Sequence, residues 1–304
     1  MDATLIPKID IHAHTARYCH DEAVPPKVGD GKPYPSPEQL MAMYDAVGVK
    51  KGVVLPLASP ECSIMIFNEG VYAVTRQYPE RFDWFCSVDP RGILNHPNAD
   101  LSYYLEYYKS IGAKGVGEVV ANLPFGDVRV RNLFFHCQKT RMPLLFHIAP
   151  QEGGCYGLID ELGLPGLEAA LRDFPELIFI GHSQPFWAEM SGDVTDAVRN
   201  GYPRGKVTAG RLATLLARYP NLFCDMSAGS GMNAFMRDPE YAYGFIERFA
   251  DRLMYGIDIC SPTDTHHIVF SDWLEKSYAD GFISQPHYEN ICYKNAVTIL
   301  GIEP

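Results

Sequence analysis

The 304-residue sequence predicts an α/β protein, a (β/α)8 TIM barrel in which eight parallel strands are surrounded by outer helices. Two observations carry this prediction: short apolar runs recur eight times, and segments of helical period lie between them. A third observation argues against a doubly wound open sheet. That fold is typical of chains with a Gly-rich turn after the first strand, whereas here the turn reads TARYCHDE.

The candidate strands are apolar or β-branched along most of their length. Strands of this kind are buried on both faces, which is typical of a parallel sheet covered by helices. They span residues 8–14, 51–57, 82–89, 113–120, 143–149, 177–183, 222–228 and 252–258. We expect one domain over residues 1–304, because no linker-like or low-complexity stretch interrupts this order.

The first predicted helix, at residues 36–48, has clear ends. Ser36 is an N-cap, Pro37 occupies the first turn, Gln39 completes a capping box, and Gly48 ends the helix. The other helical segments are predicted at residues 64–79, 101–112, 133–142, 164–175, 209–220, 239–251, 266–281 and 285–301. Strand and helix therefore alternate along the chain.

Composition narrows the class of protein. The formal net charge is −11 and the isoelectric point is near 5.3. Because phosphate binding needs clustered Lys and Arg, we expect neither a nucleic-acid partner nor an anionic membrane surface. No signal peptide and no run of about 18 apolar residues is recognisable, so we expect a cytoplasmic protein. The eight cysteines form no C-x-x-C pair and are expected to be reduced.

Polar side chains stand at the C-terminal ends of the predicted strands. In a closed barrel these ends converge on one mouth, so residues far apart in sequence can surround one ion. They are His12, His14, Glu118, His147, His182, Asp225 and Asp258. Imidazole and carboxylate donors without thiolates suit a catalytic site for Zn²⁺, Mn²⁺ or Fe²⁺.

Taken singly, each of these residues also has a structural explanation. His147 and His182 fit satisfied core histidines, Asp258 fits a helix N-cap, and Asp225 fits a structural residue beside serines. Together they require several unrelated reasons for burying ionisable groups, each of which is costly without a partner. One bound metal explains most of them.

The motifs IDIHAHT, FHIAP, FIGHSQPFW and YGIDICSP resemble the amidohydrolase superfamily, most closely the amidohydrolase-related branch that includes decarboxylases, hydratases and lactonases. The resemblance covers nearly the whole chain. It implies a metal and catalytic set, which carries over to His12, His14, His147, His182 and Asp258.

One position departs from the pattern of many superfamily members. A carboxylated lysine ends strand 4 in many binuclear members, whereas Glu118 stands here and Lys114 lies two pleats deeper. Glu118 is therefore predicted as a ligand of a mononuclear or Glu-bridged binuclear site. The alternative is a barrel salt bridge with Lys114 or Arg91.

The resemblance implies a metal-dependent hydrolase that uses one or two Zn²⁺ ions, with Mn²⁺ or Fe²⁺ as alternatives. Metal-bound hydroxide would attack a C–N or C–O bond next to the carbonyl of a small molecule. Asp258 would act as general base and return the proton to the leaving group. His182 would polarise the carbonyl or serve as a second ligand.

Three alternative functions stay open. Decarboxylating relatives act on unsaturated or aromatic carboxylates with nearly the same ligands. A phosphoesterase of the polymerase-and-histidinol-phosphatase type is the more distant alternative, because DTHH at 264–267 supplies the D-x-H that ends such chains. The last is a barrel with a decayed site that serves as a binding scaffold.

Substrate contacts are expected from the loops that follow the strands, the longest being 15–35, 183–207 and 228–238. The candidates are Arg17, Tyr156, Phe186 and Trp187. Asp10, one pleat below the histidine pair, is expected to orient a ligand histidine. We expect no macromolecular partner except a second copy in a homodimer.

Overall fold

The computed structural model describes residues 6–15, 33–62 and 64–304. The strands are β1 Lys8–Ala13, β2 Val49–Val54, β3 Phe82–Trp84, β4 Val116–Val119, β5 Leu144–Ala149, β6 Leu158–Ile159, β7 Phe179–His182, β8 Leu222–Asp225 and β9 Leu253–Met254. The first helices are α1 Pro37–Val47, α2 Asn68–Gln77, the single turn α3 Gly92–Asn95, α4 Ser102–Ser110, α5 Val128–Thr140 and α6 Pro165–Asp173.

The remaining helices are α7 Gln184–Ala188, α8 Arg211–Arg218, α9 Ala228–Met236, α10 Pro239–Phe249, α11 His266–Ala279, α12 Gln285–Glu289 and α13 Asn295–Leu300. A 3-10 turn, Ala250–Arg252, follows α10, and a π-helical segment, Asn290–Lys294, joins α12 to α13. No helix in the described residues is long and apolar enough to cross a bilayer.

The predicted ends of α1 are confirmed. The Ser36 hydroxyl accepts a hydrogen bond from the Gln39 backbone N–H, and the Gln39 side chain accepts one from the Ser36 N–H. Gly48 takes the left-handed conformation, with φ of 75°, that ends the helix. These local signals lie within one turn of sequence, which is why they can be identified without tertiary information.

All pairs among these strands are parallel, and the strands form two sheets. One has the order β1-β2-β3, and the other has the order β4-β5-β7-β8-β9 with the short β6 beside β5. A parallel bridge between Cys86 and Val116 joins β3 to β4. At the other junction the Ile11 N–H donates to the Tyr255 carbonyl at 3.1 Å. The eight predicted strands therefore follow one another around a ring.

The apolar core is divided by this ring. A smaller cluster draws Ile9, Val53, Leu145, Ile180 and Met254 from five strands and fills the interior. A larger cluster lies between strands and helices. Strands β4, β5, β7 and β8 are buried at every residue, which explains why their sequences are mostly apolar. Strand β1 is buried throughout as well, although half of its residues are polar.

Two pieces predicted as irregular contain helices. Within 183–207, α7 begins where the Ser183 hydroxyl accepts the Phe186 N–H, and within 228–238 lies α9. Both helices bury apolar side chains against the barrel, and this tertiary contact outweighs the loop-like composition of their sequences. β6 was not predicted, since two residues carry no periodic signal. The single domain over 1–304 stays a prediction.

Candidate functional site

Four ligand-type atoms meet at the C-terminal end of the barrel. They belong to His12, His14, Glu118 and Asp258, which we call the mouth cluster. His12 Nε2 lies 3.0 Å from His14 Nε2, 3.5 Å from Glu118 Oε2 and 3.6 Å from Asp258 Oδ1. His14 Nε2 lies 3.4 Å from Glu118 Oε2 and 3.5 Å from Asp258 Oδ1.

The mouth cluster fits a divalent cation. Zn²⁺ bonds of about 2.0–2.1 Å in a tetrahedron place the ligand atoms about 3.3–3.4 Å apart. The five N–N and N–O separations given above range from 3.0 to 3.6 Å, and His12, His14 and Glu118 form a group whose ligand atoms all lie within 4.8 Å of one another. All four side chains are largely buried, Asp258 being the most exposed at 13%. The donor set therefore has the size and chemistry of a metal site.

Backbone contacts place these side chains. His12 lies near the end of β1, and its carbonyl accepts the Asp258 N–H at 2.8 Å, so the first and last strands hold their ligands side by side. Asp258 has φ of 45°, a left-handed conformation that aspartate tolerates better than most residues. The His14 ring is held by a contact of 3.0 Å between Nδ1 and the Leu55 carbonyl.

His147 reaches the site through Glu118 and lies outside the mouth cluster. Its Nδ1 is 2.9 Å from Glu118 Oε1. Glu118, His147 and His182 form a second group whose ligand-type atoms lie within 4.8 Å of one another. Glu118 thus belongs to two groups at once, which agrees with its predicted role better than the barrel salt bridge does. Lys114 bonds instead to the Gly301 carbonyl.

Asp225 is the functional candidate that sequence reasoning undervalued. It is fully buried, and one oxygen, Oδ2, lies 2.6 Å from His12 Nδ1 and 3.1 Å from His182 Nδ1. The other ring nitrogen of His182, Nε2, lies 3.5 Å from Asp258 Oδ2. The available signal was its place at the end of β8, which is the same signal that identified its neighbours.

Asp10, which was predicted to orient a ligand histidine, contacts His12 through its backbone N–H. Its carboxylate accepts the N–H groups of His12 and Ile257, each at 2.9 Å, and the Tyr44 hydroxyl at 2.6 Å. The carboxylate that contacts the His12 ring is Asp225. Burial raises the pKa of Asp10 to about 7, although these donors oppose the shift.

The acidic groups of the site stay ionised. Burial alone would raise the pKa of Glu118, Asp225 and Asp258, but the nearby histidines outweigh it and hold each pKa well below its usual range. Burial likewise opposes protonation of His182, yet Asp225 and Asp258 raise its pKa to about 9. Within the described residues, only histidines form ion pairs with these three carboxylates.

A cavity of about 730 Å³ opens onto Asp258. Tyr156 and Tyr202 line it, together with Met232 of α9 and Arg237, the residue that follows α9. Tyr156 was predicted to contact substrate, and its ring also packs on His147 at 4.6 Å between centroids. A smaller cavity of about 140 Å³ borders the mouth cluster.

That smaller cavity is lined in part by Tyr34 and Cys260. Neither was a site candidate in the sequence, since Tyr34 lies in an irregular piece without a motif. The Cys260 thiol has a raised pKa, because burial and Asp258 both disfavour the thiolate.

Two predicted substrate contacts are wrong. Phe186 and Trp187 are buried, at 0% and 2% exposure, and neither lines the cavities next to the mouth cluster. Phe186 packs on Gly181 and Phe146, and the Trp187 Nε1–H donates to the Asp225 carbonyl at 2.9 Å. Their helix turns these rings toward the core and away from the mouth.

The D-x-H motif at 264–267 and Arg17 complete the set of sequence candidates. Arg17 falls outside the described residues. Asp264 accepts the N–H groups of Cys260 and Ser261 and therefore shapes its own loop. His266 and His267 begin α11, and burial lowers the pKa of His267 to about 4. The D-x-H motif thus joins none of the candidate ligand groups in the described part of the chain.

No protein-family profile and no curated protein matches this chain. Several solved structures have a similar fold. An uncharacterized TIM-barrel protein from Bordetella bronchiseptica has a TM-score of 0.65 at 18% identity, covering 97% of this chain and 98% of that chain. An amidohydrolase from Burkholderia multivorans with bound zinc has a TM-score of 0.61 at 14% identity, covering 97% and 99%.

A third similar structure is a dihydroxybenzoic acid decarboxylase from Polaromonas, with bound manganese and the inhibitor 2-nitroresorcinol. Its TM-score is 0.57 at 14% identity, covering 97% of this chain and 96% of that chain. These similarities confirm the predicted TIM-barrel fold.

Proposed function

We propose that this chain is a metal-dependent hydrolase of the amidohydrolase-related family, acting on a C–N or C–O bond next to the carbonyl of a small molecule. One observation carries the proposal: four ligand-type atoms converge at the barrel mouth, and one of their residues, Asp258, also lines a cavity of about 730 Å³. Cavities of roughly 300–1,000 Å³ are typical of small-molecule sites.

The mouth cluster would hold the cation, and we propose Zn²⁺ as the first choice. Mn²⁺ and Fe²⁺ suit the same nitrogen and oxygen donors. When bound, such an ion lowers the pKa of water towards about 7 and polarises a carbonyl oxygen. A second ion would be held by Glu118, His147 and His182, which form the adjacent ligand group. The role of His147 as a ligand belongs to this second position.

Asp258 and His182 are the proposed proton-transfer residues. Asp258 turns its Oδ1 toward His12 and its Oδ2 toward His182. Of the carboxylates of the site, it is the one that also lines the large cavity. It would accept the proton of the attacking water and deliver it to the leaving group. With a single ion bound, His182, whose Nε2 lies 3.5 Å from Asp258, would instead donate a hydrogen bond to the substrate carbonyl oxygen.

Arg237 supports a second candidate, decarboxylation of an unsaturated or aromatic acid. It lines the large cavity, and its buried Nη2 has no hydrogen-bond partner among the described residues. A guanidinium with an unsatisfied nitrogen suits a carboxylate, which arginine side chains frequently bind with two parallel hydrogen bonds. Met232, Met236 and Tyr156 provide apolar walls for the rest of such a molecule. A hydrolysable ester or amide that carries a carboxylate fits equally.

One experiment tests both candidates. Zn²⁺-loaded protein is incubated with amides, lactones and aromatic or unsaturated carboxylates, and NMR distinguishes addition of water from loss of CO₂. Asp258→Asn should abolish turnover at a Zn²⁺ concentration at which metal analysis shows the variant to be loaded. Asp160→Asn is the matched control, because Asp160 is also buried but caps α6 through the N–H groups of Gly166 and Leu167.

Full turnover by Asp258→Asn with metal bound would overturn the assignment of Asp258. A protein that takes up no transition metal at equilibrium would overturn the proposed function itself and favour the binding scaffold. Robust release of phosphate from a generic ester would favour the phosphoesterase.

A further inference from the structure

We infer that Asp225 is a positioning residue that sets the ring protons of two histidines at once, His12 in the mouth cluster and the proposed carbonyl-polarising His182. The inference rests on the proposed function for what the two rings do, and on hydrogen-bond geometry for how they are held. No motif or comparison assigns a role to Asp225.

A single carboxylate oxygen makes the contacts. Asp225 Oδ2 lies 2.6 Å from His12 Nδ1 and 3.1 Å from His182 Nδ1, and it accepts the Ser227 hydroxyl at 2.8 Å. The Ser227 oxygen in turn lies 3.1 Å from His182 Nδ1 and is its hydrogen-bond partner. The second Asp225 oxygen, Oδ1, accepts the Ser227 backbone N–H at 3.0 Å. An ionised carboxylate only accepts hydrogen bonds, so His12 Nδ1 must carry a proton. His182 Nδ1 faces the same carboxylate oxygen and a hydroxyl oxygen whose proton is donated to Asp225, so it carries a proton as well.

This arrangement decides what the opposite ring nitrogens do. With its proton on Nδ1, neutral His12 has a lone pair on Nε2, the atom that faces His14, Glu118 and Asp258. His182 likewise turns Nε2 toward Asp258. A carboxylate partner of this kind is typical behind a metal-binding histidine. Here one oxygen serves both a proposed ligand and a proposed catalytic ring.

The surroundings hold the Asp225 carboxylate in place. It is fully buried, and a Cβ atom on Gly256 would stand 2.4 Å from its Oδ1, so only glycine leaves room for it there. The Trp187 indole N–H donates to the Asp225 backbone carbonyl at 2.9 Å. The buried ring that was predicted to contact substrate thus supports the site from behind.

Long-range ¹H–¹⁵N NMR of the full chain with ¹⁵N-labelled histidine tests the inference without a substrate. His12 and His182 are assigned by His12→Gln and His182→Gln. In the wild-type protein, metal-free and Zn²⁺-loaded, both Nδ1 atoms should be protonated. An unprotonated Nδ1 on either ring would overturn the inference, and this result needs no variant to fold.

Asp225→Asn provides the second measurement. An amide has one acceptor atom, so it cannot satisfy both rings and the Ser227 N–H together. We expect at least one Nδ1 to lose its proton and the Zn²⁺ affinity to fall about 10–100-fold. Unchanged Nδ1 protonation together with unchanged Zn²⁺ affinity would contradict the inference.

Asp10→Asn is the matched control. Asp10 is an equally buried carboxylate that contacts His12 through its backbone N–H and not its ring, so the ring protons should not change. The outcomes separate from those of the proposed function. Protonated Nδ1 atoms in a protein without hydrolase or decarboxylase activity would leave the positioning role standing, whereas an active enzyme with an unprotonated Nδ1 would refute this role alone.

Discussion

Two charged clusters follow the ends of barrel strands, and they balance their charge differently. In the arginine cluster (Ser59, Glu61, Asp89, Arg91), Arg91 binds both carboxylates with two hydrogen bonds each, at 2.7–2.8 Å. The Ser59 hydroxyl also accepts from Arg91 at 3.0 Å. In the mouth cluster the carboxylates face histidines, and no Lys or Arg of the described residues pairs with them.

The difference separates a structural cluster from a functional one. The arginine cluster is complete, because every carboxylate has a fixed cation and bidentate pairs are strong. The mouth cluster and Asp225 bring three carboxylates together in a buried space, where unpaired charge is costly. They can be balanced by protonated histidines or by a cation that the chain does not supply. Missing positive charge, more than proximity, supports the proposal that the mouth cluster holds a metal ion.

Glu118→Gln is expected to have the largest effect on this contrast. It removes a charged ligand from the mouth cluster, so Zn²⁺ affinity should fall by more than about 100-fold, beyond the usual loss from an outer partner. Competition with a chromophoric chelator measures it. Glu61→Gln, the same change in the arginine cluster, should leave Zn²⁺ affinity unchanged. Equal affinities for wild type and Glu118→Gln would break the comparison.

Arg91→Met should be next in size, with the opposite pattern. Glu61 and Asp89, whose side chains are 20% and 15% exposed, lose their shared donor, and we expect a loss of about 1 kcal/mol in free energy of unfolding, the low end of the range for a buried unsatisfied group. Urea unfolding followed by circular dichroism measures this loss. Zn²⁺ affinity should not change. A variant as stable as wild type would show that the arginine cluster has no structural role.

The acid dependence of the arginine cluster gives a smaller effect. Hydrogen bonds from Arg91 are the main cause that lowers the pKa of Glu61 from 4.5 to about 2. A lowered folded-state pKa stabilises the protein above the unfolded-state value, and this contribution is lost as pH falls from about 4.5 towards 2. Urea unfolding of wild type and Glu61→Gln at several pH values should therefore converge over this window. A constant difference would argue against the ion pair.

Lys276→Ala should have the smallest effect. Lys276 and Asp280 form an i,i+4 pair on α11 whose side chains are 75% and 42% exposed. Exposed pairs of this kind contribute little, because water and salt screen them. We expect no resolvable change in the urea midpoint. A loss of stability as large as that of Arg91→Met would show that burial does not set the strength of ion pairs in this protein.

The sequence by itself determined the barrel and most of its mouth. Apolar strand runs and capped helices are local patterns, and parallel strands bring their C-terminal ends together by topology alone. His12, His14, Glu118 and Asp258 were recognisable because each stood at such an end. The sequence did not decide whether Glu118 binds a metal ion or pairs with Lys114 or Arg91, because a position at a strand end is compatible with both.

Only the tertiary structure decided which side chains contact one another at the site and which face the core. The helix at Gln184–Ala188 rotates Phe186 and Trp187 into the core, a direction that neighbouring polar residues do not reveal. Asp225 contacts His12 across 213 residues of sequence. Strand-end position predicts convergence to within several ångströms, whereas hydrogen bonds and coordination depend on fractions of one. Packing of side chains supplies that last distance, and it is a property of the whole fold.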